Sequence, residues 1–272
     1  MPYDAKAELA RVRKFYAQDP MQKRFSAIIT GETNAGKTFI LRTARMPIHI
    51  DSFDPGGTKC LKPLIDSGDI IADTQWETEN PFEPKAFAAW EKSNEIRLQT
   101  KYFEQFGTYC IDSLTTFAQA VMNFQLNLKN RAGEAPLHRK DYNPQKVKIE
   151  NRIRQLMNLP CDFIITGHLR ESRDLRSVDK QDGIRYEDVK YRLHITGQAV
   201  ITIPLLFDEL YVIVGKGNPP KREMKVDSLG EYVARSRIKG DNKLNATEPP
   251  DIKALLKKAG LTWKDKPRLG SS

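Results

Sequence analysis

The feature that most constrains the fold of this chain is the segment GETNAGKT at residues 31–38. It fits the pattern G-x-x-x-x-G-K-[ST], in which glycines let successive backbone N–H groups turn inward around a polyphosphate. The lysine adds a positive charge near the β- and γ-phosphates, and the final hydroxyl can ligate Mg²⁺. The predicted phosphate-binding residues are Gly31, Glu32, Thr33, Asn34, Ala35, Gly36, Lys37, Thr38 and Phe39.

The flanking residues favour a phosphate loop over a chance turn that contains two glycines. FSAIIT precedes the loop, carries no charge and is rich in β-branched residues, as in a parallel strand buried on both faces. TFILRTAR continues from the end of the loop without Gly or Pro, which predicts a helix of about two turns. A strand, phosphate loop and helix in this order predict a nucleotide-binding α/β protein.

Length, charge and cysteine content limit the domain organisation, the partners and the metal sites that this chain can have. The chain has 272 residues, enough for one large domain or for a core domain with an appendage. Its net charge of +9 favours an acidic polymer as partner. The three cysteines form no Cys-x-x-Cys pair, which argues against a zinc site. Without a long apolar run or a cleavage signal at the N-terminus, we expect a cytoplasmic protein that does not enter a membrane.

A second acidic position follows further along the chain, where the apolar strand YCI ends in Asp112. In P-loop proteins such a strand brings its carboxylate to Mg²⁺ beside the phosphate loop. We therefore predict ATP and Mg²⁺ as cofactors, with Thr38 and Asp112 as metal ligands. The next residue is Ser113 rather than Glu, which argues against an AAA+ or other additional-strand enzyme with an Asp-Glu pair.

The carboxylate that acts on water must then come from another strand. The strand IHI is followed by Asp51 and Asp54, and the end of a parallel strand opens onto the nucleotide pocket. We predict Asp54, with Asp51 as second choice, to orient and deprotonate water; a solvated loop is the alternative. His168, at the end of the strand CDFIITGHL, could sense the γ-phosphate or only cap its strand. The predicted catalytic residues are Lys37, Asp54, Asp112 and His168.

The order of these motifs resembles the phage-encoded RecA-like P-loop NTPases, in particular the single-strand annealing group called Sak-four. The phosphate loop is general to many NTPases, whereas IDSLT after the second strand, FDELYVI and ARSR are diagnostic; the resemblance covers residues 24–238. It implies an α/β RecA-like ATPase core, with a mostly parallel twisted sheet, helices on both faces and an antiparallel hairpin extension. The chain departs from RecA where Ser52 and Phe53, rather than a Glu two residues on, follow Ile50-Asp51.

The resemblance also implies a function and partners. We expect DNA-stimulated ATP hydrolysis that serves phage recombination, annealing or replication on single-stranded DNA, in the host cytoplasm. Self-association into a filament or ring, and contact with a phage single-strand binding protein, are further expectations. The main alternative is a DNA motor such as a helicase, helicase loader or packaging ATPase. A nucleotide-dependent scaffold with little turnover and a small-molecule kinase are the others.

Two segments are candidates for contact with DNA, because RecA-like cores bind DNA through loops after the central strands. Residues 131–146 combine Gly, two prolines and a basic excess with His138 and Tyr142 for base stacking; a plain solvated loop is the alternative. Residues 169–198 have little apolar content and could equally form a mobile lid or a subunit contact. Arginines three residues apart in this segment would share one face if it formed a helix. The DNA-binding candidates are Arg131, Arg139, Lys140, Arg170, Arg173 and Arg176.

A hairpin is predicted from the apolar runs FDELYVIV and EYVARSRI, which are separated by a Gly/Pro-containing segment with clustered Lys and Arg. In RecA-like assemblies, basic residues of such a strand pair reach the nucleotide of the neighbouring subunit. The trans-acting candidates come from five basic residues, Lys216, Lys221, Arg222, Arg235 and Arg237. Arg235 and Arg237 are preferred, whereas a solvated tip is the favoured alternative for Lys221 and Arg222.

Three regions are predicted along the chain. Residues 1–22 form an N-terminal helix that docks on its own core or links to the next subunit. Residues 23–240 form the RecA-like ATPase core, and residues 241–272 form a basic C-terminal tail with one short helix.

Overall fold

The computed structural model describes residues 4–19, 24–137, 139–178, 185–195, 197–216, 221–240 and 243–270, apart from the side chains of 174–178, 185–187 and 216. Its strands are β1 Ser26–Gly31, β2 Ile48–Ser52, β3 Ile70–Asp73, β4 Thr108–Asp112, β5 Asp162–Val178, β6 Arg185–Leu193, β7 Glu209–Lys216, β8 Lys221–Lys225, β9 Arg235–Ser236 and β10 Thr247–Glu248. Its α-helices are α1 Ala5–Gln18, α2 Lys62–Asp66, α3 Ala86–Gln99, α4 Leu114–Asn127, α5 Tyr142–Leu156, α6 Ala199–Thr202 and α7 Ile252–Ala259.

These strands form one mixed sheet in the order β10-β8-β7-β1-β5-β4-β2-β3. The run from β7 to β3 is parallel, while β8 and β9 pair antiparallel with β7 and β6 pairs antiparallel with β5. β1, β2 and β4 are buried at every position, as expected for parallel strands covered on both faces. β5 lies between β1 and β4, so one additional strand separates the phosphate loop from the strand of Asp112.

Two apolar clusters cover the two faces of the sheet. On one face, α3, α4 and α5 pack against the strands through buried residues such as Trp90, Phe117 and Ile153. On the other face, Leu41 after the phosphate loop and Leu256 of α7 belong to a second cluster. The predicted α/β fold, a mostly parallel sheet with helices on both faces and an antiparallel extension, is confirmed.

The segment after the phosphate loop is shorter than predicted. Phe39–Thr43 form a 3-10 helix, and Ala44 is already extended, so the predicted helix of two turns is wrong. The strand β2 begins directly after Pro47, and the residue before a proline avoids the α conformation. Few residues therefore remain for a longer helix between the loop and β2.

The segment after His168 is neither a helix nor an irregular loop. β5 continues out of the sheet to Val178, and β6 pairs with it from Leu193 back to Arg185. The predicted helical alignment of Arg170, Arg173 and Arg176 is therefore wrong, because the segment is a strand and Arg170 and Arg173, three positions apart, point to opposite faces.

The partner of β7 also differs from the prediction. β8, within the segment predicted as a turn, pairs with β7 from Lys216↔Lys221 to Val212↔Lys225. EYVARSRI contributes only the two residues of β9, opposite Glu209 and Leu210. The segment predicted as a turn pairs with β7 because it carries apolar residues that the core buries: Met224 and Val226 are fully buried.

The C-terminal segment is part of the core, which contradicts the predicted boundary after residue 240. β10 pairs with β8, and α7 buries Ile252, Leu255 and Leu256 against the sheet. Beyond α7, the Lys266 N–H donates to the carbonyl oxygen of Met46 at 2.9 Å. Most of the region predicted as a basic tail therefore packs against the core.

The N-terminal helix α1 does not pack into the core. None of its residues is buried, and its apolar residues Leu9, Val12, Phe15 and Tyr16 are exposed. Docking on its own core, the first of the two predicted arrangements, is therefore not found among the described residues. No helix in the described part of the chain is long and apolar enough to cross a bilayer.

Candidate nucleotide-binding site

The phosphate loop lies where β1 ends, at the carboxyl edge of the parallel strands. A Cβ on Gly31 would lie 2.8 Å from the Ile213 carbonyl oxygen, and Gly36 has a φ of +101°. Both positions therefore require glycine. The buried Lys37 ammonium donates to the Glu32 carbonyl oxygen at 2.8 Å, which folds the loop around its own lysine. Burial lowers the pKa of Lys37, and the carboxylates of Asp112 and Asp54 oppose that change.

Thr38 and Asp112 meet beneath the loop. The Thr38 hydroxyl donates to Oδ2 of Asp112 at 2.8 Å, and the Thr166 hydroxyl donates to Oδ1. Burial raises the pKa of Asp112 above its ordinary value, although these hydrogen bonds and Lys37 lower it. A hydroxyl and a carboxylate side by side are hard oxygen ligands, so the donor set fits Mg²⁺.

Asp54 and His168 lie together at the edge of the cleft. His168 Nε2 is 3.2 Å from Oδ2 of Asp54, while Oδ1 accepts from Ser113 Oγ at 2.9 Å and Thr116 Oγ1 at 2.6 Å. Burial raises the pKa of Asp54, but hydrogen bonds from His168, Thr116 and Ser113 outweigh burial and lower it. The structure thus joins two of the predicted catalytic residues in one hydrogen-bonded pair.

Asp51, the second choice for the water-activating carboxylate, lies elsewhere. It is fully buried beneath α3, outside the cleft residues, so the structure contradicts a role for it on water. Burial raises its pKa, but its hydrogen-bond donors and the nearby charges lower the pKa well below the ordinary value. Asp51 holds five side chains together: His49 (3.1 Å), Trp76 (3.1 Å), Trp90 (2.8 Å), Arg97 (2.9 Å) and Tyr109 (2.7 Å).

A cleft of about 580 Å³ opens above the phosphate loop. Residues 54–57, Lys59 and Cys60 line its other side, and His168 and Arg222 are also part of the lining. Arg222, one of the five basic residues considered for a neighbour's nucleotide, lines the cleft of its own chain rather than the solvated tip that was favoured for it. Lys59 is another basic side chain of the cleft, and it was not predicted. The cleft therefore has Lys37, Lys59 and Arg222 around the position of a polyphosphate.

The first group of DNA-binding candidates is only partly available to a ligand. Arg131 pairs with Asp141 at 2.8 Å and with Glu134 at 2.7 Å, which ties down the turn before α5. Arg139 and Lys140 are exposed on that turn, whereas Tyr142 begins α5 rather than lying in a loop. His138 lies outside the described residues.

The second group of candidates lies on the β5–β6 hairpin. Arg170 is half-buried where β5 leaves the sheet, and Arg173 pairs with Glu171 at 2.7 Å. Arg176 lies on β5, but its side chain falls outside the described part of the structure. These positions follow His168 on the same strand.

The trans-acting candidates hold their own chain together. Arg235 donates to the carbonyl oxygens of Pro204 and Phe207 at 2.6 and 2.8 Å. Arg237 donates to the Leu205 carbonyl oxygen at 3.0 Å and pairs with Asp208 at 3.2 Å. Both lie beside the first residues of β7, at the end of the sheet opposite the phosphate loop.

The strand order and the geometry of the phosphate loop together define an α/β P-loop fold with a RecA-like core. The phosphate loop follows β1, one additional strand separates it from β4, and Thr38 contacts Asp112. No protein-family model and no curated protein matches the sequence.

Some solved structures are similar to this chain at low sequence identity and with TM-scores below 0.5. A KaiC-like protein from Pyrococcus horikoshii OT3 is 13% identical, with 76% of this chain and 80% of that chain covered and a TM-score of 0.39. An ATPase from the type III secretion system of pathogenic bacteria is 13% identical, with 70% and 52% covered and a TM-score of 0.43. The flagellar accessory protein FlaH from Methanocaldococcus jannaschii is 14% identical, with 77% and 84% covered and a TM-score of 0.37.

Proposed function

We propose that this chain binds and hydrolyses Mg-ATP and uses the nucleotide state to control binding of single-stranded DNA in phage recombination, annealing or replication. The observation that carries the nucleotide part is the meeting of Lys37, Thr38 and Asp112 at the phosphate loop. The DNA part is supported by the net charge of +9 and by the sequence resemblance to the Sak-four group.

The phosphate loop supplies most of the electrostatic stabilisation. Its backbone N–H groups and the Lys37 ammonium bind the phosphates and stabilise charge that develops on the transferring phosphoryl group. Thr38 and Asp112 would hold Mg²⁺, which would supply positive charge to neutralise the phosphates. Glycine at positions 31 and 36 lets the backbone approach the phosphates closely.

Asp54 and His168 serve the attacking water and the γ-phosphate. Three donors engage Asp54 and lower its pKa, so it acts mainly by orienting water rather than as a strong base. Orientation is sufficient because phosphoryl transfer depends largely on positioning and charge stabilisation. His168 lies on β5, next to the strand that carries the phosphate loop; it hydrogen-bonds to Asp54 and senses the γ-phosphate.

Asparagine variants of both residues test these roles. Asp54→Asn and His168→Asn are expected to lower single-turnover hydrolysis about 10²- to 10⁴-fold and change the Kd of nucleotide by less than about threefold. Unchanged single-turnover rates in both variants would contradict the assignment and favour a nucleotide-dependent scaffold.

The hairpin offers a route from nucleotide to DNA. β5 is one continuous strand from the core past His168 to Val178, so a shift of His168 on hydrolysis is transmitted to the hairpin at Arg170. Single-strand binding through phosphate contacts is strongly salt-dependent. This arrangement supports a nucleotide-controlled change in DNA affinity.

Fluorescence anisotropy with a labelled oligonucleotide separates the two DNA-binding segments. Arg170→Ala and the pair Arg139→Ala/Lys140→Ala should each weaken binding and reduce the slope of log K against log salt by about one per lost contact. Lys92→Ala, exposed on α3, is the control. Affinities equal to the control in both variants would contradict binding through these segments.

A further inference from the structure

Arg222 occupies a position that strand register fixes. Ile213 of β7 pairs with Gly31, the first residue of the phosphate loop, and Gly215 lies two residues further along β7. Gly215 pairs with Arg222 of β8. The β7–β8 pair therefore extends past the carboxyl edge of the parallel strands and places Arg222 beside the phosphate loop of its own chain.

Two contacts define where the guanidinium lies. A Cβ placed on Gly36 would lie 2.8 Å from Nε of Arg222, so the arginine covers this glycine directly. The guanidinium carbon is 5.5 Å from the centroid of the Phe39 ring, within the range of a cation–π contact. Gly36 and Phe39 are both phosphate-loop residues, and all three line the same cleft.

The charge of Arg222 is left for a ligand. The two carboxylates beside the loop are engaged elsewhere, Asp54 by Ser113, Thr116 and His168, and Asp112 by Thr38 and Thr166. Among the residues that the structure describes, no carboxylate forms an ion pair with Arg222. A planar guanidinium with free donors fits phosphate oxygens, which it can bind in a bidentate manner.

We propose that Arg222 contacts the nucleoside triphosphate in cis: its guanidinium binds the polyphosphate held by the phosphate loop of the same chain, with Phe39 as its support. This inference rests on the proposed nucleotide binding. It assigns the arginine of the site to the chain that carries the phosphate loop, so binding needs no arginine from a neighbouring subunit.

Nucleotide affinity, measured with a fluorescent mant-ATP analogue and Mg²⁺, tests the contact. Arg222→Ala should raise the Kd about ten- to a hundredfold, the loss of a charge-assisted hydrogen bond, and Arg222→Lys should fall between it and wild type. Lys221→Ala is the matched control, since neighbouring strand positions face opposite sides. Equal Kd values for wild type and Arg222→Ala would overturn the inference, whereas a wild type that does not bind mant-ATP would overturn the proposed function itself.

Mixing two variants that are each impaired at the nucleotide site separates cis from trans action. In a mixture of Arg222→Ala and Lys37→Ala, a trans arrangement lets the Lys37→Ala chain supply its arginine to the intact loop of the other. The cis arrangement predicts that mixed samples turn over ATP, and bind mant-ATP, no better than the average of the two variants alone. Recovery of wild-type affinity or turnover on mixing would overturn cis action.

Discussion

The buried carboxylate of Asp51 gives a prediction that separates structure from catalysis. Asp51→Asn keeps the size of the side chain but removes its charge and replaces one acceptor oxygen with a donor group. Five donors converge on this carboxylate, among them the Arg97 guanidinium at 2.9 Å and the Trp90 indole N–H at 2.8 Å. Breaking a buried ion pair while its partner remains costs about 3–5 kcal/mol. We expect the free energy of unfolding to fall by that amount.

Urea unfolding followed by tryptophan fluorescence measures this loss, because Trp76 and Trp90 both contact Asp51. Asp54→Asn is the matched comparison, since Asp54 lies at the cleft and is partly exposed. That variant should lose about 1 kcal/mol or less in stability but most of its turnover. Asp51→Asn should retain ATP turnover per folded molecule.

Acid conditions give the same prediction a second readout. The pKa of Asp51 is lowered in the folded state, so its stabilising contribution is present above the unfolded pKa and is lost as pH falls below about 4. The Asn variant should therefore lose less stability on acidification than wild type. A loss under about 1 kcal/mol at neutral pH, or abolished turnover in a fully stable Asp51→Asn protein, would refute the structural role.

Three further changes test other parts of the structure. Burial raises the pKa of Asp162 to about 6 despite Arg45 beside it, so its stabilising contribution is complete below about pH 4 and is lost as pH rises through 6. Wild type should lose about 3 kcal/mol of stability over this window and Asp162→Asn almost none, measured by urea unfolding; parallel curves would contradict this. Leu256→Ala should lower the free energy of unfolding by about 2–5 kcal/mol in chemical denaturation, because Leu256 is fully buried. Lys257→Ala, at an exposed position of α7, should lower it by less than about 1 kcal/mol. Equally small losses in both variants would show that α7 is dispensable for stability. Gly36→Ala forces a φ of +101° on alanine and should weaken mant-ATP binding at least tenfold, a result that wild-type affinity would contradict.

Local sequence was sufficient to predict the phosphate loop and the strand before it, but not the short 3-10 helix after it. The pattern from Gly31 to Thr38 specifies its own geometry, and buried parallel strands appear as uncharged β-branched runs. The carboxyl ends of such strands meet at one edge, so Asp112 and Asp54 could be predicted near the loop. These features could be predicted because residues close together in the sequence encode them.

Contacts between residues that are far apart in the sequence could not be predicted. Arg222 reaches the loop because Gly215 pairs with it, a register that no short segment encodes. Asp51 lies in β2 and Asp54 shortly after it, and both are acidic. Asp51 is structural because buried donors from distant segments, such as Trp90 of α3 and Tyr109 of β4, converge on it. The β5–β6 hairpin has charged residues on both faces, so no apolar alternation indicated a strand.

A readable signal was missed in α7. Ile252, Leu255 and Leu256 follow the i, i+3, i+4 spacing of a buried helical stripe, but the adjacent lysines favoured an exposed basic tail. Lys257 and Lys258 lie on the exposed side of the same helix. The apolar stripe, rather than the positive charge of the lysines, explains why α7 packs against the core.

The measurement that tests the central claim most directly is ATP turnover by wild type and Lys37→Ala, with and without single-stranded DNA, at low and high salt. The proposed function predicts turnover that rises when single strands are added, falls with salt and vanishes in Lys37→Ala. Turnover that is indifferent to DNA, with no single-strand binding at low salt, would contradict it and favour a kinase or scaffold built on the same phosphate loop.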